Sequence, residues 1–395
     1  MKKLMFYCQH ILGIGHLVRS MEIARGLVAD FQICFVNGGK AIAGFEVPAA
    51  VEVVNLPAIE TDPEFENLSV VDDSRSFEEI QEFRKNQLLD IFNSFQPDVL
   101  MIELFPFGRR RFSFELVPLL DRVKAKGKKT KVVCSLRDIV VTKQDRERHE
   151  EKICKLMNQY FDLLLIHGDR QFQPLEESFS RISDLNCPVH YTGYVVQSSP
   201  ENPVLNDEDK AALDCDKPLI LASIGGGRFG HELLDSLVEA AQILQQIVPH
   251  QIQIFTGPFF PETKFAQMQL LVAAQPNINI QRYTPNLLTY MEKADMSISM
   301  GGYNTTMNIL TTGVRAMMLP FVGNGDLEQT IRSQKLEELG ILNVIHPADL
   351  EPRNFAKKIV ECLMDTPNPV KLDLQGVEKT ADFLKGLLAA QPVAA

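Results

Sequence analysis

The sequence has 395 residues, of which 45% are hydrophobic, and a formal net charge of -11. A chain of this length exceeds one ordinary hydrophobic core, so two domains are expected. The acidic balance argues against a general nucleic-acid or anionic-membrane surface, because both of those partners are themselves negatively charged.

The cysteine pattern and the first residues both bear on the location of the protein. The seven cysteines are scattered, without a CxxC pair, which fits the cytoplasm and gives no zinc signal. Two lysines precede a short apolar run at the start, but Gln9 and His10 interrupt it, so a first β-strand is predicted rather than a signal peptide. No segment approaches the length of a membrane span. We therefore expect a cytoplasmic protein.

The first half of the chain predicts a doubly wound α/β domain. A strand at 3–8 leads through a glycine turn into a helix whose apolar residues recur at helical spacing. Further strands are predicted at 32–36, 98–104, 131–136 and 163–167, and a helix from about residue 77.

The stretch YTGYVVQSSPENPVLND at 191–207 has no amphipathic period and predicts an interdomain linker. The α/β rhythm then restarts with a strand at 219–224, a helix at 231–248 and a strand at 251–256, and the tail predicts a last helix at 374–390. The predicted domains are 1–195, a linker at 196–207, 208–365, and a final segment at 366–395. Ligands of such sheets bind beyond the carboxyl ends of the strands, so the expected site is a cleft between two facing Rossmann-like domains.

The stretch from Ser297 to Arg332 is the richest in candidate ligand groups. An apolar strand breaks at Gly301-Gly302 and a helix follows, so free backbone N–H groups at the helix start favour a phosphate. The side chains of 304–306 are expected either to cap that helix or to donate to a ligand. Farther on, Glu328 and Gln329 suit a ligand rich in hydroxyls.

A histidine and a glutamate in the first half predict a base and its orienting group. His16, in the GIGH turn with Gly15, is placed where a helix begins, a position that favours a neutral imidazole. Glu103 ends an apolar strand at the same edge of the predicted sheet, where a carboxylate can orient the imidazole. The alternatives are a locally packed histidine and a solvated strand end.

A second glycine turn, GGGRFG at 225–230, also follows a strand and precedes a helix. Gly226 and Gly227 predict a phosphate-facing turn to which Arg228 adds positive charge. It is not a Walker loop, because no Gly-Lys-Ser/Thr follows.

Two other patterns carry weaker predictions. Asp214-Cys215-Asp216 matches a DxD metal pattern in letters but lies in a polar loop before a strand, and Asp72-Asp73 is weaker still, so no metal site is predicted. The arginines at 109–111 stand among phenylalanines, and Arg109, Arg110 and Arg111 either grip an anionic acceptor or lipid head group or form a solvated face.

Together these motifs resemble a known family. The pairing of GIGHLVRS with GGYNTTMNILTTG and LPFVGNGDLEQTIR resembles GT-B glycosyltransferases, and most closely the bacterial family 28-like proteins related to the cell-wall N-acetylglucosaminyl transferase. FPFGRRRFSFEL, CSLRDIVV and YTGYV look like a bacterial group of predicted glycosyltransferases.

The resemblance implies an inverting, metal-independent transfer of a sugar from a nucleotide diphosphate, with a UDP-sugar as the expected donor and no cofactor. It implies that His16 deprotonates an acceptor hydroxyl, with Glu103 as the orienting acid, and that the final helix crosses back onto the N-terminal domain. The acceptor, a small molecule or a lipid-linked one, is not specified. The donor-site residues that the resemblance implies are Tyr283 and Thr284 at the base, Gly302, Asn304 and Thr305 at the diphosphate, and Glu328 and Gln329 at the sugar.

One position departs from the family pattern: Asn308 stands where many relatives carry a glutamate for the nucleotide ribose. An amide loses the charge-assisted pairing of a carboxylate with two hydroxyls. Two alternatives to a transferase stay open: a nucleotide-sugar hydrolase or epimerase on the same fold, and a non-catalytic partner subunit that binds sugar nucleotides, which Asn308 motivates.

Overall fold

The computed structural model of the chain describes residues 1–11, 13–42, 44–61, 67–71, 73–127, 129–141, 145–198, 203–214, 216–323, 327–369 and 371–389. Asp72, Cys215 and residues 199–202 of the predicted linker lie outside these ranges.

The strands and helices alternate along most of the chain. The strands are β1 Lys2–Cys8, β2 Phe31–Asn37, β3 Val51–Asn55, β4 Ile59–Thr61, β5 Leu68–Val70, β6 Val99–Glu103, β7 Lys131–Arg137, β8 Leu163–His167, β9 Val189–Tyr191, β10 Leu219–Ser223, β11 Gln251–Phe255, β12 Ile278–Gln281, β13 Met296–Met300, β14 Arg315–Leu319 and β15 Asn343–Val344. The helices are α1 Gly15–Leu27, α2 Phe77–Phe95, α3 Ser113–Ala125, α4 Arg146–Tyr160, α5 Asp207–Leu213, α6 His231–Leu244, α7 Glu262–Val272, α8 Leu287–Lys293, α9 Tyr303–Thr312, α10 Glu328–Glu338, α11 Pro352–Met364 and α12 Gly376–Ala389. Short 3₁₀ turns lie at Arg110–Phe112, Leu175–Glu177, Ile182–Asp184 and Pro347–Leu350. Among the described helices, none is both long and apolar enough to cross a bilayer.

The packing divides the chain into two compact units. The first comprises residues 1–12, 16–196 and 372–395, and the second comprises 13–15 and 197–371. Each unit is built on its own parallel sheet, which confirms the predicted α/β class with two Rossmann-like domains.

The sheet of the first unit runs β3-β2-β1-β6-β7-β8-β9 within the described residues, with every pair parallel. The chain moves from β1 to β2 on one side and later to β6 on the other, so the strand order reverses between β1 and β6. Parallel α/β sheets bind ligands at such a reversal, beyond the carboxyl ends of the strands.

Helices cover both faces of this sheet, which is why its strands are apolar on both sides. Residues of α2, α3 and α4 form one core on one face. On the other face, α1 and α12 pack side by side, and the ring of Phe383 stacks on His190 with centroids 4.3 Å apart. The contact between these two helices requires glycine at position 26, since a Cβ there would lie 1.9 Å from Val377 Cγ1. The last helix is thus part of the first unit's core.

The sheet of the second unit runs β12-β11-β10-β13-β14-β15, also parallel within the described residues. α6 and α11 pack on one face and supply most of its apolar core. On the other face, Tyr290 of α8 contacts Phe255 with ring centroids 5.0 Å apart, and the Thr306 hydroxyl of α9 lies 3.7 Å from Met318 Sδ.

Most predicted elements are confirmed to within a few residues, and the differences have local causes. α6 ends at Leu244 rather than 248, because the N–H groups of Gln246 and Ile247 bond back three residues and Pro249 disfavours helix before it. The sequence analysis missed β3, β4, β5, β9 and β15, which are short or only partly buried. Their hydrophobic pattern is too brief to show a period of two.

A buried ion pair joins α2 to α3. Arg84 and Glu115 are both fully buried, with Nε 2.8 Å from Oε2 and Nη2 2.6 Å from Oε1. Arg84 also donates to the carbonyls of Gly38 and Pro57 at 2.8 and 2.6 Å, so one side chain ties two helices to the loops after β2 and β3.

We expect Arg84→Met to lower the free energy of unfolding by about 3–5 kcal/mol, because it leaves the Glu115 carboxylate buried without its cation. Urea denaturation followed by circular dichroism measures the change. The matched control is Arg170→Met, which breaks an ion pair whose side chains are 67% and 42% exposed and should cost about 0–1 kcal/mol. Equal losses in the two variants would contradict the assignment.

Candidate functional site

Three side chains meet where the strand order of the first sheet reverses. Glu103 is the last residue of β6, whereas His16 and Arg19 lie on α1, which follows β1. β1 and β6 are neighbours in the sheet, so the helix after one strand lies beside the end of the other. The fold therefore brings together the two residues that the sequence predicted as a pair.

The contact between them has hydrogen-bond geometry. His16 Nδ1 lies 2.9 Å from Glu103 Oε1, and the exposed fractions of the two side chains are 12% and 1%. Arg19 Nη2 donates to the same carboxylate oxygen, and Arg19 is 1% exposed. The glutamate is therefore not the solvated strand end that was the alternative.

The surroundings keep Glu103 ionised. Burial alone would raise its pKa, but the Arg19 guanidinium and the hydrogen bonds from His16 and Ser135 hold the pKa of this carboxyl well below its usual range. An ionised carboxylate can only accept hydrogen bonds, so His16 donates through Nδ1–H. The Nε2 lone pair of His16 is then left for another proton.

His16 itself is kept neutral. Its pKa lies well below the ordinary histidine value because burial disfavours the imidazolium and the Arg137 and Arg109 guanidiniums repel it, which outweighs the attraction of Glu103. The sequence predicted this direction from the helix start, whereas burial is the main cause in the structure. A neutral imidazole is the form that can accept a proton.

A polar layer behind the pair was missed by the sequence analysis. Ser135 of β7 is the register partner of Glu103, and its Oγ donates to Glu103 Oε2 at 2.8 Å. Arg137 and His167 end β7 and β8 and are register partners of each other. Arg137 and His167 are polar residues that end apolar strands, the signal that had singled out Glu103, and it would have found these two as well.

The three consecutive arginines have different surroundings. Arg109 Nε donates to the Gln9 carbonyl at 2.9 Å, and burial together with Arg137 lowers the pKa of Arg109 to about 10. Arg110 Nη2 lies 2.5 Å from His149 Nδ1, and of the three only Arg111 is exposed. Arg109 and Arg110 are thus half-buried and Arg111 is exposed, and the prediction that the three arginines grip an anionic acceptor or a lipid head group stays a prediction.

In the second unit, the loop after β10 contains the predicted glycine turn. Gly227 has φ +88°, and a Cβ there would lie 2.4 Å from the Thr256 carbonyl oxygen, so only glycine fits. α6 begins after Gly230 without a side-chain cap. Arg228 is half-buried, with its guanidinium 4.9 Å from the centre of the Phe259 ring. Gly226 lies in the same turn.

The loop after β13, the neighbour of β10, opens at the same edge of the sheet. α9 begins after Gly302, and no side chain caps it. The alternative that residues 304–306 cap this helix is therefore wrong, and the Thr306 hydroxyl instead donates to the Gly302 carbonyl at 2.9 Å. Asn304 and Thr305 are half-buried on its first turn, where backbone N–H groups favour an anion.

The other residues predicted to bind the sugar donor differ in burial and in hydrogen bonding. Asn308 is 2% exposed; its Nδ2 donates to Gln197 Oε1 at 3.0 Å, and its Oδ1 has no partner within the described residues. Tyr283 is half-buried after β12, and Thr284 Oγ1 accepts from the Asn286 N–H at 3.0 Å.

Glu328 and Gln329 begin α10, and both have contacts within the unit. Glu328 is buried and accepts from Arg332 at 2.8 Å. Gln329 Oε1 accepts from the Phe321 N–H at 2.9 Å, which leaves its amide nitrogen as the group to donate to a ligand.

No group of three or more His, Cys, Asp or Glu side chains within the described ranges is placed to hold a metal ion. The DxD pattern at 214–216 contains Cys215 and is not described in full.

Comparison with known proteins identifies relatives of both units. Residues 221–385 match the glycosyltransferase family 28 C-terminal domain. The UDP-N-acetylglucosamine--N-acetylmuramyl-(pentapeptide) pyrophosphoryl-undecaprenol N-acetylglucosamine transferase of Thermotoga neapolitana is 22% identical over 230 residues, which are 57% of this chain and 58% of that protein. The NDP-glycosyltransferase YjiC of Bacillus licheniformis is 30% identical over 242 residues, which are 58% of this chain and 54% of that protein. The matches thus span little more than half the length of these relatives.

A solved structure extends the likeness to the whole chain. The crystal structure of CalG4, the calicheamicin glycosyltransferase, superposes with a TM-score of 0.60 at 16% identity and covers 100% of both chains. At this identity the likeness shows the fold.

The buried histidines predict loss of stability in acid. Burial lowers the pKa of His10 to about 4 and that of His167 to about 3, and the pKa of His16 is lowered too. Below pH ~6.5 the unfolded chain binds protons at these positions and the folded chain does not. Each such histidine therefore lowers the free energy of unfolding by up to about 1.4 kcal/mol per pH unit, as the pH falls from ~6.5 toward the pKa that the histidine has in the folded chain.

We expect His167→Gln to make this pH dependence shallower by up to about 1.4 kcal/mol per pH unit, measured by urea denaturation between pH 7 and 5. The control is His346→Gln, at an exposed position. An unchanged slope in His167→Gln would show that His167 is not kept neutral by burial.

Proposed function

We propose that this chain, a GT-B protein of family 28-like type with a family 28 glycosyltransferase C-terminal domain at 221–385, transfers a sugar from a nucleotide diphosphate sugar to an acceptor hydroxyl. The donor we infer is a UDP-sugar, as named for the Thermotoga relative. The location we infer is the cytoplasm.

The observation that carries the proposal is the buried pair of a neutral histidine and an ionised glutamate. His16 Nδ1–H donates to Glu103, so Nε2 accepts the proton of the acceptor hydroxyl as its oxygen attacks the sugar. The imidazolium that forms is stabilised by Glu103, which stays ionised beside Arg19. A single direct attack by the acceptor inverts the anomeric carbon, and the nucleotide diphosphate leaves.

The second unit supplies the groups that a nucleotide diphosphate needs. The uncapped start of α9 at Gly302, Asn304 and Thr305 receives the diphosphate, and Arg228 adds positive charge. These groups meet the charge of the leaving diphosphate, and on that basis we infer transfer without a metal. Tyr283 lies at the nucleobase in this proposal.

The remaining donor contacts follow from the polar groups that the fold leaves available. Asn308 Oδ1 is buried without a partner in the described part of the chain, so it can accept one hydrogen bond from the nucleotide ribose. Gln329 offers its amide nitrogen to the sugar hydroxyls, and Glu328 is charge-balanced by Arg332 beside it.

The acceptor we infer carries an anionic group close to the reacting hydroxyl. The Arg109 and Arg137 guanidiniums both act on His16 electrostatically, so an anion bound there would be attracted by two cations. Small-molecule and lipid-linked phosphates share this chemistry. Membrane contact, if the acceptor is lipid-linked, would be peripheral.

A panel of nucleotide diphosphates and nucleotide sugars tests the donor. We expect UDP and one UDP-sugar to raise the melting temperature, since a ligand at a hundred times its dissociation constant adds about 2.7 kcal/mol. Gly302→Val, which places a branched side chain at the start of α9, should abolish the shift without lowering the melting temperature of the unliganded protein by a comparable amount. No shift with any nucleotide would contradict the donor assignment.

Replacing the proposed base separates catalysis from binding. We expect His16→Ala to lower the rate of transfer by about 10²–10⁴-fold, the usual contribution of a general base, while the UDP-sugar still stabilises the protein. The measurement is release of UDP with and without acceptor. Release of free sugar without acceptor would favour the hydrolase alternative, and donor binding with no turnover would favour the partner subunit.

A further inference from the structure

A chain of buried hydrogen bonds continues inward from Glu103. Glu103 Oε2 accepts from Ser135 Oγ at 2.8 Å, Ser135 Oγ lies 3.0 Å from His167 Nε2, and His167 Nδ1 lies 2.9 Å from Thr192 Oγ1. The exposed fraction of Glu103 is 1%, and Ser135, His167 and Thr192 are fully buried. The general base proposed above does not use any of the last three side chains directly.

The position of each proton in this row of hydrogen bonds can be assigned, starting from Glu103. Glu103 is a carboxylate and can only accept, so the single hydroxyl proton of Ser135 points to Glu103. Ser135 Oγ must then accept from His167, which places the proton of the neutral ring on Nε2. His167 Nδ1 is left as an acceptor for the Thr192 hydroxyl.

A second arrangement competes with the first. Thr192 Oγ1 also lies 2.8 Å from the Gly193 carbonyl oxygen and 3.3 Å from that of Ile166. If the Thr192 hydroxyl donates to either carbonyl, the His167 proton moves to Nδ1 and the Ser135 hydroxyl turns away from Glu103 toward His167 Nε2. This arrangement leaves a buried carboxylate oxygen without its donor, which costs more than a neutral hydrogen bond. The charge of Glu103 therefore selects the tautomer of His167.

The hydrogen bonds that Glu103 accepts also fix the orientation of its carboxylate and of His16. Its Oε1 receives both His16 and Arg19, and its Oε2 receives Ser135, so the carboxylate cannot rotate without breaking a charge-assisted hydrogen bond. The orientation of the carboxylate in turn sets which nitrogen of His16 carries the proton. A disturbance at Ser135 thus reaches His16 through Glu103.

We propose that Ser135 and His167 are positioning residues of the sugar transfer: the buried chain Thr192–His167–Ser135 fixes Glu103, and through it holds His16 with its Nε2 free to take the acceptor proton. The inference rests on the proposed role of His16 as the base. Charged groups that act on this chain are Arg19 and Glu103 at His167, and Arg137 and Arg109 at His16.

The first readout is the protonation of the two rings by ¹⁵N NMR of the histidines in the full chain. We expect a neutral Nε2–H tautomer for His167 and a neutral Nδ1–H tautomer for His16 near pH 7. In Ser135→Ala, Glu103 Oε2 loses its donor and the remaining negative charge acts more strongly on His16, so the pKa of His16 should rise measurably. An Nδ1–H tautomer of His167, or a His16 titration unchanged by Ser135→Ala, would overturn the proposal.

The second readout is turnover of the sugar donor. We expect Ser135→Ala to lower kcat by roughly 10- to 100-fold, the effect of losing one hydrogen bond to a charged group. His167→Phe removes only the neutral donor that orients the Ser135 hydroxyl and should lower kcat by roughly 2- to 10-fold, and the donor KM should stay within about two-fold in both variants. Ser135→Thr keeps the hydroxyl and His167→Gln keeps an N–H donor, so both should recover most of the rate. The double variant Ser135→Ala/His167→Phe should lose little more than Ser135→Ala alone, because His167 acts on Glu103 only through the Ser135 hydroxyl.

The matched control is Thr130→Ala, which removes another buried hydroxyl of the first unit, 2.7 Å from the Pro97 carbonyl and outside the chain. It should leave kcat and the His16 titration unchanged. Rates unchanged in Ser135→Ala, or lowered equally in Thr130→Ala, would show that Ser135 has no positioning role. If the wild type turns over no donor, the proposed transfer fails, whereas the NMR readout still decides whether Ser135 controls His16.

Discussion

One buried negative charge organises the polar part of the first unit. Removing a carboxylate from water is costly, so Glu103 is tolerated at the end of β6 only because Arg19, His16 and Ser135 surround it. Each of these groups is consequently held in place by the charge that it stabilises. The result is a histidine whose protonation state and orientation are determined before any substrate binds, which is the preorganisation that proton transfer benefits from.

The parallel sheet explains why such a group of residues can assemble at all. Residues far apart in sequence end neighbouring strands at the same edge, so Glu103, Ser135 and His167 become contacts although they are at least thirty positions apart. The second unit uses the carboxyl edge of its own sheet in another way. Its loops after β10 and β13 are rich in glycine and lead into helices without a side-chain cap. One unit thus presents charged side chains, and the other presents backbone N–H groups.

The sequence predicted the parts of this arrangement that depend on local pattern. The strands and helices with long periodic runs were placed to within a few residues, and Glu103 was recognised because an acid seldom ends a buried strand without a partner. Ser135 escaped notice because serine is common in strands of every kind, and the role of Arg19 depends on the angle at which α1 crosses the sheet. The arginines at 109–111 show what adjacency in sequence does not predict: Arg109 contacts the Gln9 carbonyl, whereas Arg110 contacts His149.

The packing of α12 against α1 has a consequence for how the protein is made. The apolar face of the first sheet beside α1 is completed by residues 376–389, which the ribosome adds only after the whole second unit has been synthesised. Val377, Ala381 and Leu384 are therefore missing from the nascent first unit while the second is being translated. The nascent chain carries an uncovered hydrophobic surface for roughly 175 residues of elongation, or about 9–35 s at rates of about 5–20 residues per second. The final helix covers this surface only when synthesis of the chain is nearly complete.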